Sequence, residues 1–252
     1  MTLKNLLIFG FFIIALVIAQ FAQAQSVDEV IDKYIAARGG KDKLNGIKSI
    51  YMEGSRQMMG GEVAVRITKV QGKLSRTEFD MGGSSGFFII TDKEGWNYIP
   101  MRMQKAEPMP ADRVKTLETE MDIAGPLVDY AAKGHKAELI GKEDVEGTEC
   151  YKIKLTLSSG KDVTYFIDTK AYTLLRSSQK GGMFSRGGTG DSEMLTDYSD
   201  WKAVDGIMIA HTVTLKPGAG APAGQGGGMS GGTTFDKVEL NKNVDAKLYK
   251  PE

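Results

Sequence analysis

Cysteine is all but missing from this chain. Cys150 is the only one in 252 residues, so no internal disulfide can form and stability must come from a buried core. Histidine is nearly as scarce. His135 and His211 are the only two, they fall in separate strand patterns, and neither belongs to an H-E-x-x-H metal motif. No serine stands at the strand-to-helix turn of a nucleophile elbow, and no Gly-rich stretch carries the G-K-[ST] of a phosphate loop. Excess charge is absent too: 32 basic and 32 acidic residues leave a formal net charge of zero. That balance gives no basis for nucleic-acid binding or for attraction to an anionic surface. The sequence therefore calls for no catalytic residue, no metal and no cofactor, and Cys150 reads as a small buried residue of a strand.

One long apolar run is present, from Leu6 to Ala19. Lys4 precedes it and Ala22-Gln23-Ala24 closes it with the small residues a signal peptidase needs. Residues 1–24 are thus expected to be a cleaved secretory signal peptide, with the mature chain in the periplasm from Gln25. No cysteine lies near the cleavage site, so the mature chain is not itself expected to be a lipoprotein. Residues 25–252 carry no polar linker or composition shift and read as one domain.

Ser26 to Gly39 has the pattern of a helix. Ser26 and Glu29 form an S-x-x-E capping box, Val27, Val30, Ile31, Tyr34 and Ile35 share a face, and Gly39-Gly40 ends it. Beyond Gly46 the period changes from helical to two. Strands are expected over Ile47–Met58, Glu62–Gln71, Lys73–Asp80, the Phe87–Tyr98 hairpin and Arg102–Glu107. Two short helices follow, from Pro110 and over Pro126–Lys133, hinged at Gly125-Pro126. Strands resume over Lys136–Val145, Glu149–Leu157, Asp162–Asp168, Ala171–Gln179, Glu193–Val204, Ile207–Lys216 and Thr234–Leu240. The Gly-rich segments Gly181–Gly190 and Gly218–Gly232 read as hairpin tips. Acids such as Asp168, Asp197, Asp200 and Asp205 lie near strand ends, where they serve turns. The fold class is α+β: a curved antiparallel sheet of about ten or eleven strands, solvated outside, with helices covering its concave face.

One hairpin does not fit a strand with a wet side. Phe87-Phe88-Ile89-Ile90 is apolar on both faces, and Trp96, Tyr98, Met101, Met103 and Met109 follow within a short distance. The hinged helices at Ala111 to Lys133 are the natural cover for it. An apolar cavity between the two would draw on Phe88, Trp96, Tyr98, Met101, Met103, Met109, Val114, Leu117, Met121 and Leu127. The alternative is that these side chains simply fill a core. Flexible thioethers, of which the chain has 13 counting the leader, suit a pocket that adapts to mobile acyl chains.

The order of helix, meander, Gly-Trp hairpin, helical insertion and second meander resembles the outer-membrane lipoprotein-sorting proteins, the LolA/LolB-like family. The likeness is greater to their exported relatives in Bacteroidota. It is carried by VDEVIDKYIAARGGKDKLNGIKSI, IAGPLVDYAAKG, LIGKEDVEGTECYKIKL, YFIDTKAYTLLRSSQ, DYSDWKAVDGIMIAHTV and FDKVELNKNVDAKLYKP, which are distributed between residues 27 and 251. The resemblance implies an incomplete β-barrel closed by helices around a hydrophobic cavity, which in the well-studied members accepts the acyl chains of a lipoprotein. An arginine acts inside that cavity in the chaperone branch. Arg56, Arg66 and Arg76 lie on early strands here, but none sits in a motif that would identify it, so no binding residue is carried over. The function expected is a periplasmic, non-enzymatic carrier of a lipid or an acylated lipoprotein, handed between inner- and outer-membrane partner proteins. The alternative is an interaction or sensor module of the same fold, acting in envelope stress or assembly. A monomer is expected.

Overall fold

The computed structural model describes residues 25–58, 61–100, 102–180, 193–218 and 231–251. The leader and both Gly-rich tips, apart from the ends of the second, lie outside them. Helix α1 (Val27–Ala37) begins as the capping pattern requires, with Ser26 Oγ accepting from Glu29 N at 3.1 Å. Only half of the box forms. The Glu29 carboxylate turns instead to Lys33 Nζ at 2.7 Å and Gln25 Nε2 at 3.2 Å. Val30, Ile31, Tyr34 and Ile35 are buried, which is the stripe the 3.6-residue period marks out. Gly39 then turns the chain at φ 113°, where a side chain would place its Cβ 2.4 Å from the Gly206 carbonyl. Only glycine permits that approach. One further turn, α2 (Lys41–Asn45), buries Leu44.

All the strands belong to one antiparallel sheet of 13. The first meander holds β1 (Ser49–Met58), β2 (Gly61–Val70), β3 (Leu74–Met81), β4 (Ser84–Thr91), β5 (Gly95–Tyr98) and β6 (Glu107–Pro108). The second holds β7 (Lys136–Val145), β8 (Thr148–Thr156), β9 (Asp162–Asp168), β10 (Leu174–Lys180), β11 (Glu193–Val204), β12 (Ile207–Pro217) and β13 (Gly231–Leu240). The chain's first and last strands join the halves in the middle, β1 pairing with β13. That leaves β6 and β7 as the two outer edges. They are consecutive in the chain, so the segment between them has to cross from one edge of the sheet to the other.

This crossing segment departs from expectation. Its first helix is short, α3 (Ala111–Thr116), and passes into a 3₁₀ turn at Glu118–Met121. The helix expected over Pro126–Lys133 is a string of turns, including Val128 N to Gly125 O at 3.1 Å. Asp129 stands at φ 54°, outside the helical region, and breaks the run. The strand expected over Arg102–Glu107 shrinks to Glu107–Pro108, because Arg102 N and Met103 N both fold back onto Ile99 O.

The core lies on the side of the sheet that faces α1. Val30, Ile31, Tyr34 and Ile35 pack with Ile153, Leu155, Tyr165, Ile167 and Ile207, and Leu127 and Val128 of the crossing segment complete the cluster. The β4–β5 hairpin has two covers rather than one. Ile90 meets Val114, Leu117, Met121 and Met109, as the pattern of the insertion leads one to expect. The opposite face, carrying Ile89, lies beneath the C-terminal segment. Its 3₁₀ turn, Ala246–Tyr249, packs on β3 and β4, where Arg76 Nη1 donates to Leu248 O and Lys250 O, both at 3.2 Å. Ile89 and Ile90 are thus both 0 % exposed, on opposite faces.

Candidate functional site

Cross-strand partners in an antiparallel sheet project to the same side, so the register sorts the residues of the first meander by face. Ile50, a core residue, opposes Lys69, which opposes Ser75, and Ser75 opposes Ile90 beneath the crossing segment. By alternation Met52, Arg56, Val63, Val65, Ile67, Thr77, Phe79 and Phe88 also stand on this helix-facing side. The outer side takes Arg66, Arg76, Glu78, Ile89, Trp96 and Tyr98.

The crossing segment seats on this side through specific contacts. Gln71, in the β2–β3 turn, accepts from Ile123 N at 2.7 Å and donates to Asp122 Oδ1 at 3.3 Å. Gly72 N donates to Met121 O at 3.0 Å, and Lys69 Nζ lies 3.5 Å from the Glu120 carboxylate. At the other end, Lys133 Nζ reaches Asp122 Oδ2 at 2.6 Å and Gly125 O at 3.0 Å. The hairpin accommodates the segment through Gly95, where a Cβ would stand 2.9 Å from Val114 Cγ2 and 3.1 Å from Met109 Sδ.

Of the ten side chains expected to line one cavity, four gather in one cluster. Met109, Val114, Leu117 and Met121 meet at Ile90. Phe88 is on the same side, its ring 5.7 Å from Phe79, and Met103 Sδ accepts from Asn97 Nδ2, the register partner of Phe88. Leu127 is embedded in the α1 core of the second meander. Trp96 and Tyr98 point the other way, opposite Ile89 and Phe87, with the Tyr98 ring 5.8 Å from that of Phe87. Met101 lies outside the described residues. Past the crossing segment, the helix-facing side continues as Val63, Ile67, Phe79, Val213 and Leu215, all half-buried.

The three early arginines separate cleanly. Arg66 pairs with Asp80 at 3.1 Å, and Arg76, 4 % exposed, pairs with Glu78 at 2.9 Å and lies over the Phe87 ring. Both are on the outer side. Arg56 is on the helix-facing side, between Val63 and Thr233 in register, and burial pushes its guanidinium down. Deeper in the second meander the same side holds phenols. Tyr198 lies within hydrogen-bond reach of Ser177 Oγ at 3.1 Å, and burial pushes it up to about 12. Burial also holds Tyr165 well above the usual phenol range, while Arg38 donates to Tyr34 Oη at 3.3 Å and Ala124 O at 2.8 Å.

The remaining reactive groups are placed for structure. His135 Nδ1 accepts from Ser158 N at 3.0 Å, and burial pushes its pKa down. His211 is buried, with Nδ1 donating to Ile209 O at 3.0 Å. Cys150 is buried among Val145 and Phe166, and that burial raises its thiol to about 11. Asp197 is not at a strand end: it lies within β11, ion-paired to Arg176 and to Lys216 at 2.7 Å. Among the described residues no cluster of three His, Cys, Asp or Glu could hold a metal ion.

No family model matches the chain, and no curated protein sequence matches it. Solved structures do. A DUF1329 family protein from Desulfovibrio piger aligns with a TM-score of 0.57 and 14 % identity, over 90 % of this chain and 98 % of that one. A domain assigned to outer membrane lipoprotein sorting in Vibrio parahaemolyticus aligns at 0.56 and 11 % identity, over 88 % and 94 %. A LolA superfamily protein of Nitrosomonas europaea gives 0.55 and 9 %, over 90 % and 98 %. The likeness is one of architecture: the fold is a LolA-like open, curved antiparallel sheet.

Proposed function

We propose that this LolA-like chain is an exported, non-enzymatic carrier that holds a lipid or the acyl chains of a lipoprotein between the sheet and the crossing segment, which acts as a lid. One observation carries the reading. The helix-facing side stays apolar beyond the part that the helices fill, as the half-buried Val63, Ile67, Phe79, Val213 and Leu215. Their polar neighbours Arg66, Glu78 and Thr214 alternate to the outside, as expected if water is excluded from one face only. The lid side of the site would use Phe88, Met103, Met109, Val114, Leu117 and Met121.

Fold does not by itself settle function, so the energetic case has to stand on the site. Sequestering a long saturated chain from water gains about 0.8 kcal/mol per CH₂, enough to offset the loss of freedom on binding. The lid would be seated by Val114, Leu117 and Met121 against Ile90 and anchored by Leu127 and Val128 in the main core, with polar contacts at Gln71, Lys69 and Lys133 along its rim. The periplasm is the proposed compartment because of the leader, and membrane proteins on either side are the proposed donor and acceptor.

Native mass spectrometry of protein purified from an exporting host tests the reading. Co-purified lipid, or saturable uptake of a fluorescent fatty acid, is the expected result. Absence of both, in protein shown to be folded, would rule the carrier out.

A further inference from the structure

We propose that the hydroxyls of Tyr165 and Tyr198 form an uncharged subsite for the ester carbonyl of the guest, so that the lipid carried is an acyl ester of a glyceryl group. The inference rests on the carrier reading above and narrows it.

Register places the two phenols in rows that lead out of the core. Tyr165 on β9 opposes Ser177 on β10, which opposes Thr196 and then Leu215. Tyr198 on β11 opposes Val213, which opposes Thr233, and the row runs on across β13 and β1 to Val63. Leu215, Val213 and Val63 belong to the half-buried apolar side, so the phenols border it. They also lie close to the crossing segment. Burial is the first cause of the raised Tyr165 hydroxyl, and Tyr198, Tyr34, Asp122 and Glu120 add to it. Burial leads for Tyr198 as well, with Tyr34 and Glu120 adding. Asp122 and Glu120 are the acids with which the crossing segment meets Lys133 and Lys69.

One of these hydroxyls is unspent. Tyr165 is 7 % exposed, and among the described residues nothing hydrogen-bonds its hydroxyl. Its neighbours are engaged: Tyr34 accepts from Arg38, and Tyr198 meets Ser177 at 3.1 Å. An unpaired buried hydroxyl is unfavourable, and a phenylalanine would fill the same space without that cost. A guest that brings an acceptor removes it. Ser177 can donate to Tyr198 and leave that phenol's proton free, so two donors are available to one carbonyl oxygen. Both donors are uncharged, which matches an ester. The carbonyl then meets the phenols while the chain runs over Val213 and Leu215 toward Val63.

Monopalmitoylglycerol and the ether monohexadecylglycerol, which differ only in a carbonyl against a CH₂, test the subsite when titrated into the wild type, Tyr165→Phe and Tyr198→Phe. The wild type is expected to prefer the ester by about threefold to tenfold, the range that a neutral hydrogen bond supplies. In Tyr165→Phe the preference should vanish while ether affinity stays, and in Tyr198→Phe it should shrink. Without ligand, Tyr165→Phe should resist urea at least as well as the wild type, since no hydrogen bond is lost; a marked loss of stability would assign the hydroxyl to the fold instead. The ester can come from a free acylglycerol or from the diacylglyceryl group of a lipoprotein. Dipalmitoylglycerol and a dipalmitoylglyceryl-cysteine peptide, titrated side by side, tell the two apart by which binds more tightly, and that one should weaken in Tyr165→Phe. Equal wild-type affinity for ester and ether, or a preference that survives both Phe variants, overturns the subsite and leaves the carrier standing. Binding of neither ligand by folded wild-type protein overturns both.

Discussion

Three arginines on three adjacent strands acquire different roles from one alternation. Arg76 is the structural one: it lies beneath the C-terminal segment, holds two of that segment's carbonyls, and pairs with Glu78. Replacing it by Met leaves buried acceptors and a carboxylate without their donor, which should cost roughly 3 kcal/mol in urea unfolding. The same change should let a protease clip the tail near Ala246–Tyr249 while leaving lipid uptake unchanged. Loss of uptake without loss of the tail's protection would contradict the assignment of Arg76 to the outer side. Cys150 offers a second check. With its thiol raised by burial to about 11, it should resist a thiol reagent at pH 8 until denaturant is added. Which of Phe88 and Trp96 stands on the side of the crossing segment could not be read from the residues themselves. Both belong to a hairpin apolar on two sides, and a shift of one residue in register exchanges the faces. The register to Ile50, through Lys69 and Ser75, decides it.

At the scale of elements, α1 and the long strands were legible because burial enforces their periods, 3.6 in Val30, Ile31, Tyr34 and Ile35 and two in Tyr151, Ile153 and Leu155. The crossing segment was legible only as an insertion. Its turns depend on Asp129 at φ 54° and on contacts with the β2–β3 turn, which no local pattern reveals. The tail was missed as a cover because its role is set by Arg76, far away in sequence. The lid's seating can be tested at two points. Gly95→Ala brings a methyl within 2.9 Å of Val114 Cγ2, and overpacking of that kind costs about 1–3 kcal/mol. Gln71→Ala removes the acceptor of Ile123 N and the donor to Asp122 without altering the sheet. Both variants are expected to raise hydrogen exchange across residues 109–134 and to speed release of a fluorescent fatty acid. Gln71→Ala should do so with little change in global stability, since its contacts lie at the rim. Unchanged exchange in that segment would show that the polar contacts do not hold it.

For the whole molecule, the curved open sheet followed from alternating strands that needed a cover, but the joining of β1 to β13 did not. Pairing the chain's ends is a long-range event with no local signature, and it places the two meanders side by side with the crossing segment joining their outer edges. The result is a continuous interior that takes in phenols from several elements: Tyr34 of α1, Tyr165 of β9 and Tyr198 of β11. Those phenols make stability sensitive to alkali in a definite direction. An unfolded tyrosine ionises near pH 10, whereas burial raises Tyr198 to about 12 and Tyr165 well above the usual range. A raised folded-state pKa means that the stabilisation is complete below about pH 10 and is lost as pH climbs toward 12. The urea midpoint should therefore hold between pH 8 and 9.5 and fall steeply by pH 11.5. Exposed lysine pairs such as Lys33 with Glu29 and Lys142 with Glu149 also weaken in that window, because their ammonium groups are raised as well. Tyr198→Phe distinguishes the two sources. It removes the ionisable group and its contact with Ser177 but leaves every lysine pair in place, so the fall above pH 10 should become shallower. A fall of the same depth in Tyr198→Phe would assign the alkaline loss to the surface pairs instead of the shared interior.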